Sequence, residues 1–303
     1  MDKTDYIWFD GSLVKWDDAK VHVLTHALHY GTGVFESCRC YDTKEGPAIF
    51  RLKEHMQRLK RSAGFYSMKI PYSVQELCQA TVDTVKANRL DECYIRPIAF
   101  FGYKELGVYP LNNPVDVAIA AWKWGAYLGE EGLRRGAKIT VSKWRRISED
   151  IMPPQSKATA NYANSALAKM DAIKRGYDEA IMLNAKGTVA EGSGENLFIV
   201  KGKTVATTSD ESGALRGITQ DAVKTIAKGL GYNVRVGKIT MRELLSADEV
   251  FLTGTAAEVT PIRQIDKKRY GGIGPVTQRI QTKFFDIVKG RDQKYRKWLT
   301  PVG

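Results

Sequence analysis

The chain has 303 residues, of which 43% are apolar, and it carries a formal net charge of +12. This length exceeds that of one small core, so two domains are expected, and no apolar stretch is long enough to cross a bilayer. The positive charge favours an anionic partner, and nucleic acid is the first class to consider. However, the basic residues are scattered, and no RNA-binding signature, zinc finger or basic zipper is present. A nucleic-acid-binding protein is therefore the less favoured class, and no membrane partner is expected.

The first residues, "MDKTDYIWFDGSLVKW", mix acidic and basic side chains and contain no apolar signal core, so export is not expected. The cysteines also indicate a protein that is not exported, because the four of them include no CxxC pair and show no even spacing typical of a disulfide framework. They are Cys38, Cys40, Cys78 and Cys93. We predict a reduced, cytoplasmic protein.

The first part of the chain predicts a mixture of strands and helices. "YIWFDG" and "LVKW" are typical of a hairpin, "VFESCRCY" and "AIFRL" of strands, and "ECYIRPIAFFG" and "VDVAIAAW" of central strands. Residues 52–63 and 73–88 have the apolar spacing of amphipathic helices. Beyond "KWGAYLGEEGLRRGAKI", where glycines and charges interrupt the pattern, strands and helices alternate.

We therefore predict a mixed α/β (α+β) protein of two domains. The smaller N-terminal domain spans residues 1–125, an interdomain loop spans 126–133, and the larger C-terminal domain spans 134–303 and carries Lys157. A cleft between two domains is a natural place for a binding site.

A histidine pattern, "HVLTHALH", is the first candidate for chemistry. His22, His26 and His29 have the spacing i, i+4, i+7, which on one helix would align three metal ligands. The glycines of "YGTGVFE" follow at once and would end a helix, and no acidic residue supports the set. We favour buried or hydrogen-bonded histidines over zinc, and no metal is expected. In "CRC", Cys38 and Cys40 share one face of a strand, which favours packing.

The segment "IMPPQSKATANYANSALAKM" contains a lysine, Lys157, among small side chains. Pro153 and Pro154 favour extended backbone before it, and the helical apolar spacing that follows predicts a helix ending near Gly176. Lys157 is thus placed on an extended segment just before a helix. A solvated loop lysine is the ordinary interpretation, and a lysine for covalent catalysis is the alternative.

Three later turns could bind a flat, anionic ligand. Glu191 ends a strand beside glycines, and Ile218 with Thr219 opens a helix, where free amides and the helix dipole attract phosphate. In "FLTGTAAEVTP", the turn at Thr255 offers further amides. A surface carboxylate and a plain threonine cap are the ordinary alternatives. Pyridoxal 5'-phosphate would use all these groups with Lys157, because it requires a lysine, an acid at its ring nitrogen and a phosphate site.

Motifs in the same order along nearly the whole chain strengthen this interpretation. They are "TDYIWFDG", "HALHYGTGVFE", "HMQRL", "YIRP", "WGAYLG", "SKATANY", "EGSGENLF", "GIT" and "GTAAEVTP". With them the sequence resembles the branched-chain amino acid aminotransferases, which are fold-type-IV pyridoxal-phosphate enzymes. The resemblance implies two domains with the cofactor in the interdomain cleft. It also implies a homodimer or higher homo-oligomer whose pocket is completed by a neighbouring subunit.

The resemblance assigns roles to individual residues. Lys157 would be the catalytic residue and would hold the cofactor covalently, and Glu191 would pair with the ring nitrogen. Tyr162 would bind the phenolate oxygen of the cofactor. The phosphate would be held by Arg58, Ile218, Thr219 and Thr255. The substrate-binding residues would be Tyr30, Phe35, Tyr94, Arg96, Trp124, Tyr127, Thr255 and Ala256.

The implied reaction transfers the amino group of leucine, isoleucine or valine to 2-oxoglutarate and gives branched 2-oxo acids and L-glutamate. A D-amino acid or amine aminotransferase, or an aminodeoxychorismate lyase, would use the same fold and remains an alternative. The chain departs from the family pattern at Ser37 and Cys38, where Gly-Ile is common, and at Ala160 and Ala163. These differences bear on the choice of substrate side chain more than on cofactor binding.

Overall fold

The computed structural model describes residues 2–125 and 127–303. The chain forms two compact units. Unit 1 contains Met1–Trp124, Ser156–Ala160 and Asp286–Gly303, and unit 2 contains Gly125–Gln155 and Asn161–Phe285. Within the described ranges, no helix has the length and apolar character needed to span a membrane.

Strands and helices alternate along the chain. The strands are β1 (Tyr6–Phe9), β2 (Ser12–Lys15), β3 (Gly33–Phe35), β4 (Cys38–Thr43), β5 (Gly46–Phe50), β6 (Cys93–Phe101), β7 (Val115–Trp122), β8 (Ala137–Val141), β9 (Glu179–Leu183), β10 (Val189–Gly192), β11 (Asn196–Lys201), β12 (Thr204–Thr207), β13 (Asn233–Val236), β14 (Glu249–Gly254), β15 (Glu258–Ile265), β16 (Lys268–Arg269) and β17 (Leu299–Pro301). The helices are α1 (His26–Tyr30), α2 (Leu52–Gly64), α3 (Val74–Ala87), α4 (Gly129–Arg135), α5 (Thr159–Lys174), α6 (Ile218–Gly229), α7 (Met241–Ser246) and α8 (Pro275–Val288). The mixed α/β character predicted from the sequence is confirmed.

Unit 1 is built on an antiparallel sheet with the strand order β17-β5-β4-β6-β7-β1-β2, to which β3 adds along β6. The predicted β1–β2 hairpin and the predicted central pair, β6 and β7, are both confirmed. Alternate residues of β6, including Ile95 and Ala99, are buried in one core with Met56 and Leu59 of α2. Strand periodicity places Tyr94 and Arg96 on the opposite face of the sheet from this core.

Unit 2 contains a second sheet with the order β10-β9-β8-β15-β14-β11-β12-β13, and β16 pairs with β15. Three of its pairings, β8–β9, β8–β15 and β12–β13, are parallel. Its core contains Ile139, Ile181, Leu197 and Leu252, all fully buried. Near-continuous apolar runs such as "EAIML" of β9 are expected for strands buried on both faces.

The units differ from the predicted domain ranges in two segments. Residues 156–160, which were expected in the C-terminal domain, belong to unit 1 because Val34 and Ala158 form a β-bridge and the Phe35 N–H donates to the Lys157 carbonyl at 3.0 Å. The C-terminal residues 286–303 also belong to unit 1, since β17 pairs with β5. The predicted interdomain loop begins at Ala126, which lies outside the described residues, and its later part includes α4.

The histidine pattern does not lie on one helix. α1 begins at His26, so His22 precedes it, and Gly31 ends the helix in the left-handed conformation. His26 is buried, and its ring hydrogen-bonds Thr32 and the Gly107 carbonyl at 2.8 and 2.6 Å. This agrees with the predicted hydrogen-bonding role. Cys38 and Cys40 are both fully buried on the core face of β4, as predicted for packing residues.

Candidate functional site

A two-residue interruption between β3 and β4 organises the site in unit 1. Both strands pair with β6 in one continuous register, with Phe35 opposite Ile98 and Cys38 opposite Ile95. Glu36 and Ser37 fill the gap, and the Glu36 N–H donates to the Pro97 carbonyl at 2.8 Å. Successive side chains of extended backbone point to opposite faces. Glu36 and Ser37 therefore belong to different faces of the sheet.

Lys157 lies on an extended segment directly before α5, as the sequence predicted. The Lys157 N–H donates to Ser62 Oγ at 3.0 Å, and Ser156 Oγ donates to the Ser62 carbonyl, so α2 fixes this backbone. The side chain is buried, with 8% exposed, and its Nζ lies 4.8 Å from the centre of the Phe35 ring. Burial, and after it the charge of Arg58, lowers the lysine pKa from 10.5 to about 8.

A buried ion-pair cluster surrounds Glu36. Arg58 of α2 donates from Nε to Glu36 Oε1 at 2.5 Å and from Nη2 to Oε2 at 2.9 Å. His55, one helical turn earlier, shares the Glu36 carboxylate through a 2.7 Å contact at Nδ1. Burial alone would raise the pKa of Glu36, but Arg58 and His55 together outweigh it and hold this pKa well below its usual range. Burial lowers the pKa of His55.

The opposite face of the sheet carries a second hydrogen-bonded group. The Tyr94 hydroxyl donates to Ser37 Oγ at 2.6 Å, and Arg96 Nη2 donates to the Tyr94 hydroxyl oxygen at 3.0 Å. The Arg96 guanidinium lies 4.6 Å from the centre of the Phe35 ring, on which Lys157 also lies. Phe35 is thus in cation–π contact with two cations at once.

Unit 2 holds Glu191 in a polar, buried setting. A register irregularity between Val189 and Glu191 lies at the start of β10, and Glu191 is its third residue. Arg146 Nε lies 2.8 Å from Glu191 Oε1, and both side chains are less than a tenth exposed. The Leu215 N–H donates to Glu191 Oε2 at 2.9 Å, and Asn196 donates to the same oxygen at 3.5 Å. A cation and two donors stabilise the charged form of this carboxylate.

Two further acids lie near Glu191 in unit 2. Glu179 Oε2 accepts from Lys169 at 2.6 Å, and Lys169 Nζ also lies 4.9 Å from the centre of the Tyr127 ring. Glu195 accepts from the Gly194 N–H at 3.1 Å. Burial, and next the charge of Glu179, raises the pKa of Glu195 from 4.5 to about 8.

The two predicted phosphate-binding turns are both present in unit 2. α6 begins at Ile218 after the N-cap Gly217, and no side chain of the described residues caps this end. A Cβ on Gly217 would lie 1.8 Å from Asn196 Oδ1, so glycine is required for this close approach. Residues 255–257 form the turn between β14 and β15, and before it Thr253 Oγ1 is buried without a hydrogen-bond partner among the described residues.

The predicted site residues form two groups, one in each unit. In unit 1, Phe35, Arg58, Tyr94, Arg96 and Lys157 form one connected cluster, and Trp124 packs edge-on against Tyr94 at 4.5 Å. Tyr30 lies on α1 with 42% exposed, and its ring contacts the His26 ring in a tilted arrangement with centroids 4.6 Å apart. In unit 2 lie Tyr127, Tyr162 (on α5), Glu191, Ile218, Thr219, Thr255 and Ala256.

Four residues of these clusters were not singled out from the sequence. Glu36 and His55 hold Arg58, whereas Arg146 and Asn196 hold Glu191. The spacing of His55 and Arg58 by three positions was a usable signal, because such residues share one face of a helix. No local signal connects Arg146 to Glu191, which lies 45 positions later in the sequence.

A known protein family matches most of this chain. The family model "Amino-transferase class IV" matches residues 33–265. The chain belongs to this family. The branched-chain-amino-acid aminotransferase of Salmonella typhimurium is 48% identical over 303 residues, which cover 99% of this chain and 98% of the relative.

Solved structures agree with this assignment. The crystal structure of the Escherichia coli branched-chain amino acid aminotransferase superposes with a TM-score of 0.97 at 47% identity, covering 99% of this chain and all of the other. The branched-chain amino acid aminotransferase from Thermobaculum terrenum, solved in its PLP-form, gives a TM-score of 0.94 at 36% identity and covers both chains fully. The resemblance inferred from the motifs and the fold-type-IV aminotransferase fold are both confirmed.

Proposed function

We propose that this protein is a branched-chain-amino-acid aminotransferase that uses pyridoxal 5'-phosphate. It transfers the amino group of leucine, isoleucine or valine to 2-oxoglutarate. The observation that carries the proposal is the buried Lys157 amine, whose pKa is lowered to about 8 beside Arg58, in a chain nearly half identical to enzymes of that name. A D-amino acid or amine aminotransferase, or an aminodeoxychorismate lyase, is less well supported because the compared relatives carry the branched-chain name.

The residues present fit the cofactor. The donor set contains a buried amine, an anion-binding arginine, an uncapped helix N-terminus and a carboxylate held ionised by Arg146. When bound, pyridoxal phosphate supplies an electron-withdrawing ring on which the substrate Cα–H is acidified. Arg58, Ile218, Thr219 and Thr255 are the residues proposed to hold its phosphate, and Tyr162 its phenolate oxygen.

Lys157 is proposed to hold the cofactor and to move protons. An amine can attack a carbonyl or accept a proton only in its neutral form, and a pKa near 8 makes that form available close to neutral pH. Glu191 is proposed to hold a proton at the ring nitrogen of the cofactor. Its pairing with Arg146 favours the carboxylate, so the proton belongs to the ring rather than to the acid.

The substrate residues are proposed to serve two unlike side chains. The aromatic groups suit a branched apolar side chain, and they are Tyr30, Phe35, Trp124, Tyr127 and Tyr162. Arg96 is proposed to bind the distal carboxylate of glutamate or 2-oxoglutarate, since a guanidinium pairs with a carboxylate in bidentate fashion. The amides of the Thr255–Ala256 turn are proposed to bind the α-carboxylate.

We further propose a homodimer or a higher homo-oligomer in the cytoplasm. An apolar surface of unit 1 supports self-association: residues 21–30 and 102–111 lie side by side, since the His26 N–H donates to the Gly102 carbonyl and His22 stacks on Tyr103. Its exposed members include Val23, Leu28, Val108 and Tyr109. A patch of this kind is typical of interfaces. Sedimentation of a Leu28→Asp, Val108→Asp double variant should show a smaller species than the wild type.

The function is tested by labelling and by substrate choice. Borohydride reduction of the holoenzyme followed by peptide mass spectrometry should place the pyridoxyl group on Lys157, and Lys157→Ala should retain cofactor but lose turnover. A panel of L- and D-amino acids with 2-oxoglutarate should show activity with L-leucine, L-isoleucine and L-valine. A label on another lysine contradicts the proposed role of Lys157, and activity confined to D-amino acids or amines contradicts the substrate assignment.

A further inference from the structure

Ser37 occupies a defined position opposite the arginine proposed to bind the substrate carboxylate. The register that places Phe35 opposite Ile98 and Cys38 opposite Ile95 places Ser37 opposite Arg96. Its side chain is only 6% exposed, and its N–H donates to Glu36 Oε2 at 3.1 Å. Ser37 is therefore fixed by the backbone and by the Glu36–Arg58 ion pair, and its hydroxyl has a set place on the Tyr94 face of the sheet.

The hydroxyl of Ser37 determines the direction of a hydrogen-bond chain. A phenol has one proton to donate, and Tyr94 gives it to Ser37 Oγ at 2.6 Å. The lone pairs of the Tyr94 oxygen are then oriented toward Arg96, whose Nη2 donates to it at 3.0 Å. Tyr94 is 2% exposed, so water offers no substitute acceptor for its proton.

Arg96 has donors that this chain of bonds does not use. Its guanidinium is otherwise held by ring contacts, at 4.6 Å from the Phe35 centre and 5.5 Å from the Tyr94 centre. Ring contacts fix the plane of a guanidinium but not its rotation within that plane. Nε of Arg96 is buried without a hydrogen-bond partner in the part of the chain that the structure describes. The Tyr94 hydroxyl is thus the contact that fixes the direction of the fork.

We propose that Ser37 is a positioning residue that sets specificity for substrates whose side chain ends in a carboxylate. Acting through Tyr94, it orients Arg96 so that the guanidinium meets that carboxylate with two parallel donors. An apolar side chain makes no use of this orientation. The proposal rests on the proposed function for the identity of the substrates, and it assigns a role to a residue at which the chain departs from the family pattern.

The test compares two unreactive acids as ligands of the holoenzyme by calorimetry. Glutarate carries the second carboxylate, and 4-methylpentanoate carries a branched apolar end. Ser37→Ala should raise the dissociation constant for glutarate about fivefold, which corresponds to about 1 kcal/mol. The constant for 4-methylpentanoate should change less than about twofold. Ser37→Thr, which keeps the hydroxyl, should restore most of the glutarate affinity, and Ser212→Ala, a buried serine of unit 2, should change neither constant.

A double-mutant cycle shows whether Ser37 acts through Arg96. In an Arg96→Met background, Ser37→Ala should no longer affect glutarate binding, because the group that it orients is absent. Equal losses for both acids, or the same loss in both backgrounds, would overturn the proposal. Failure of the wild-type holoenzyme to convert leucine would instead refute the proposed function, and the two acids would still report on Ser37.

Discussion

The two units each bury a titratable group whose pKa is moved to about 8, but from opposite directions. In unit 1 this group is Lys157, lowered from 10.5, and in unit 2 it is Glu195, raised from 4.5. The first cause is the same, because burial disfavours the charged form of either group. One physical effect thus moves the pKa of a base in one unit and of an acid in the other to about 8.

The neighbours of each group explain why the pKa of these particular residues moves toward 8. Around Lys157, the cations Arg58 and Arg96 act against a further positive charge, and Glu36 is already paired. Around Glu195, the acids Glu179 and Glu191 each have a cation of their own, Lys169 and Arg146. The comparison teaches that burial is the first cause in both units and that a nearby charge of the same sign adds to it.

The largest expected effect comes from removing the cation of a buried ion pair. Arg146→Met removes the cation that lies 2.8 Å from the buried Glu191 carboxylate, and it should cost about 3–5 kcal/mol in free energy of unfolding. Arg58→Met leaves Glu36 with His55, whose imidazole can take up a proton and replace the lost charge. The cost of Arg58→Met should therefore be smaller at pH 5.5 than at pH 8. Urea unfolding at the two pH values measures this, and equal costs for Arg58→Met would mean that His55 stays neutral.

The next effect is the pH dependence of the stability that Lys157 contributes. Between pH 8 and 10.5 the unfolded chain retains a proton that the folded state has lost, so the stability contributed by this group rises with pH. The slope is about 1.4 kcal/mol per pH unit, or about 3 kcal/mol in total. Lys157→Met should be more stable than the wild type at pH 7 in the cofactor-free protein, and the difference should vanish toward pH 10.5. A difference that is constant from pH 7 to 10.5 would place the lysine pKa at its ordinary value.

An effect of the opposite sign is expected at Glu195. Between pH 4.5 and 8 the folded state holds a proton that the unfolded chain has lost, so stability falls as the pH rises. The limiting slope is again about 1.4 kcal/mol per pH unit, reduced because Glu179 and Lys169 adjust to the same proton. Glu195→Gln should lack this slope and exceed the wild type in stability above pH 8. A wild-type and variant difference that does not change from pH 5 to 8 would mean that Glu195 is ionised throughout.

The sequence was sufficient to predict those features that depend on residues adjacent in the chain. The β1–β2 hairpin, the start of α6 after Gly217 and the position of Lys157 just before α5 were all predicted from adjacent residues. The alternation of side chains along a strand also accounts for the common face of Tyr94 and Arg96 on β6.

Contacts between residues far apart in the sequence could not be predicted in this way. Glu36 meets Arg58 across 22 positions, and the bridge between Val34 and Ala158 joins residues still farther apart. Either contact depends on how strands and helices pack, which one sequence does not specify without homologues. Ser37 was visible only as a departure from a family pattern, and its role depends on the register opposite Arg96.

The interruption at Glu36 and Ser37 has a consequence for how such an enzyme can evolve. Two adjacent residues serve separate tasks because extended backbone sends their side chains to opposite faces: Glu36 holds Arg58, whereas Ser37 contacts Tyr94. With the roles proposed for Ser37 and Arg58, substitutions at 37 would alter substrate preference without changing the arginine proposed to hold the phosphate. A one-residue insertion or deletion here would exchange the two faces and damage both tasks together. The residue type can therefore change at position 37, whereas Glu36 and the length of the segment cannot change without loss of the Arg58 contact.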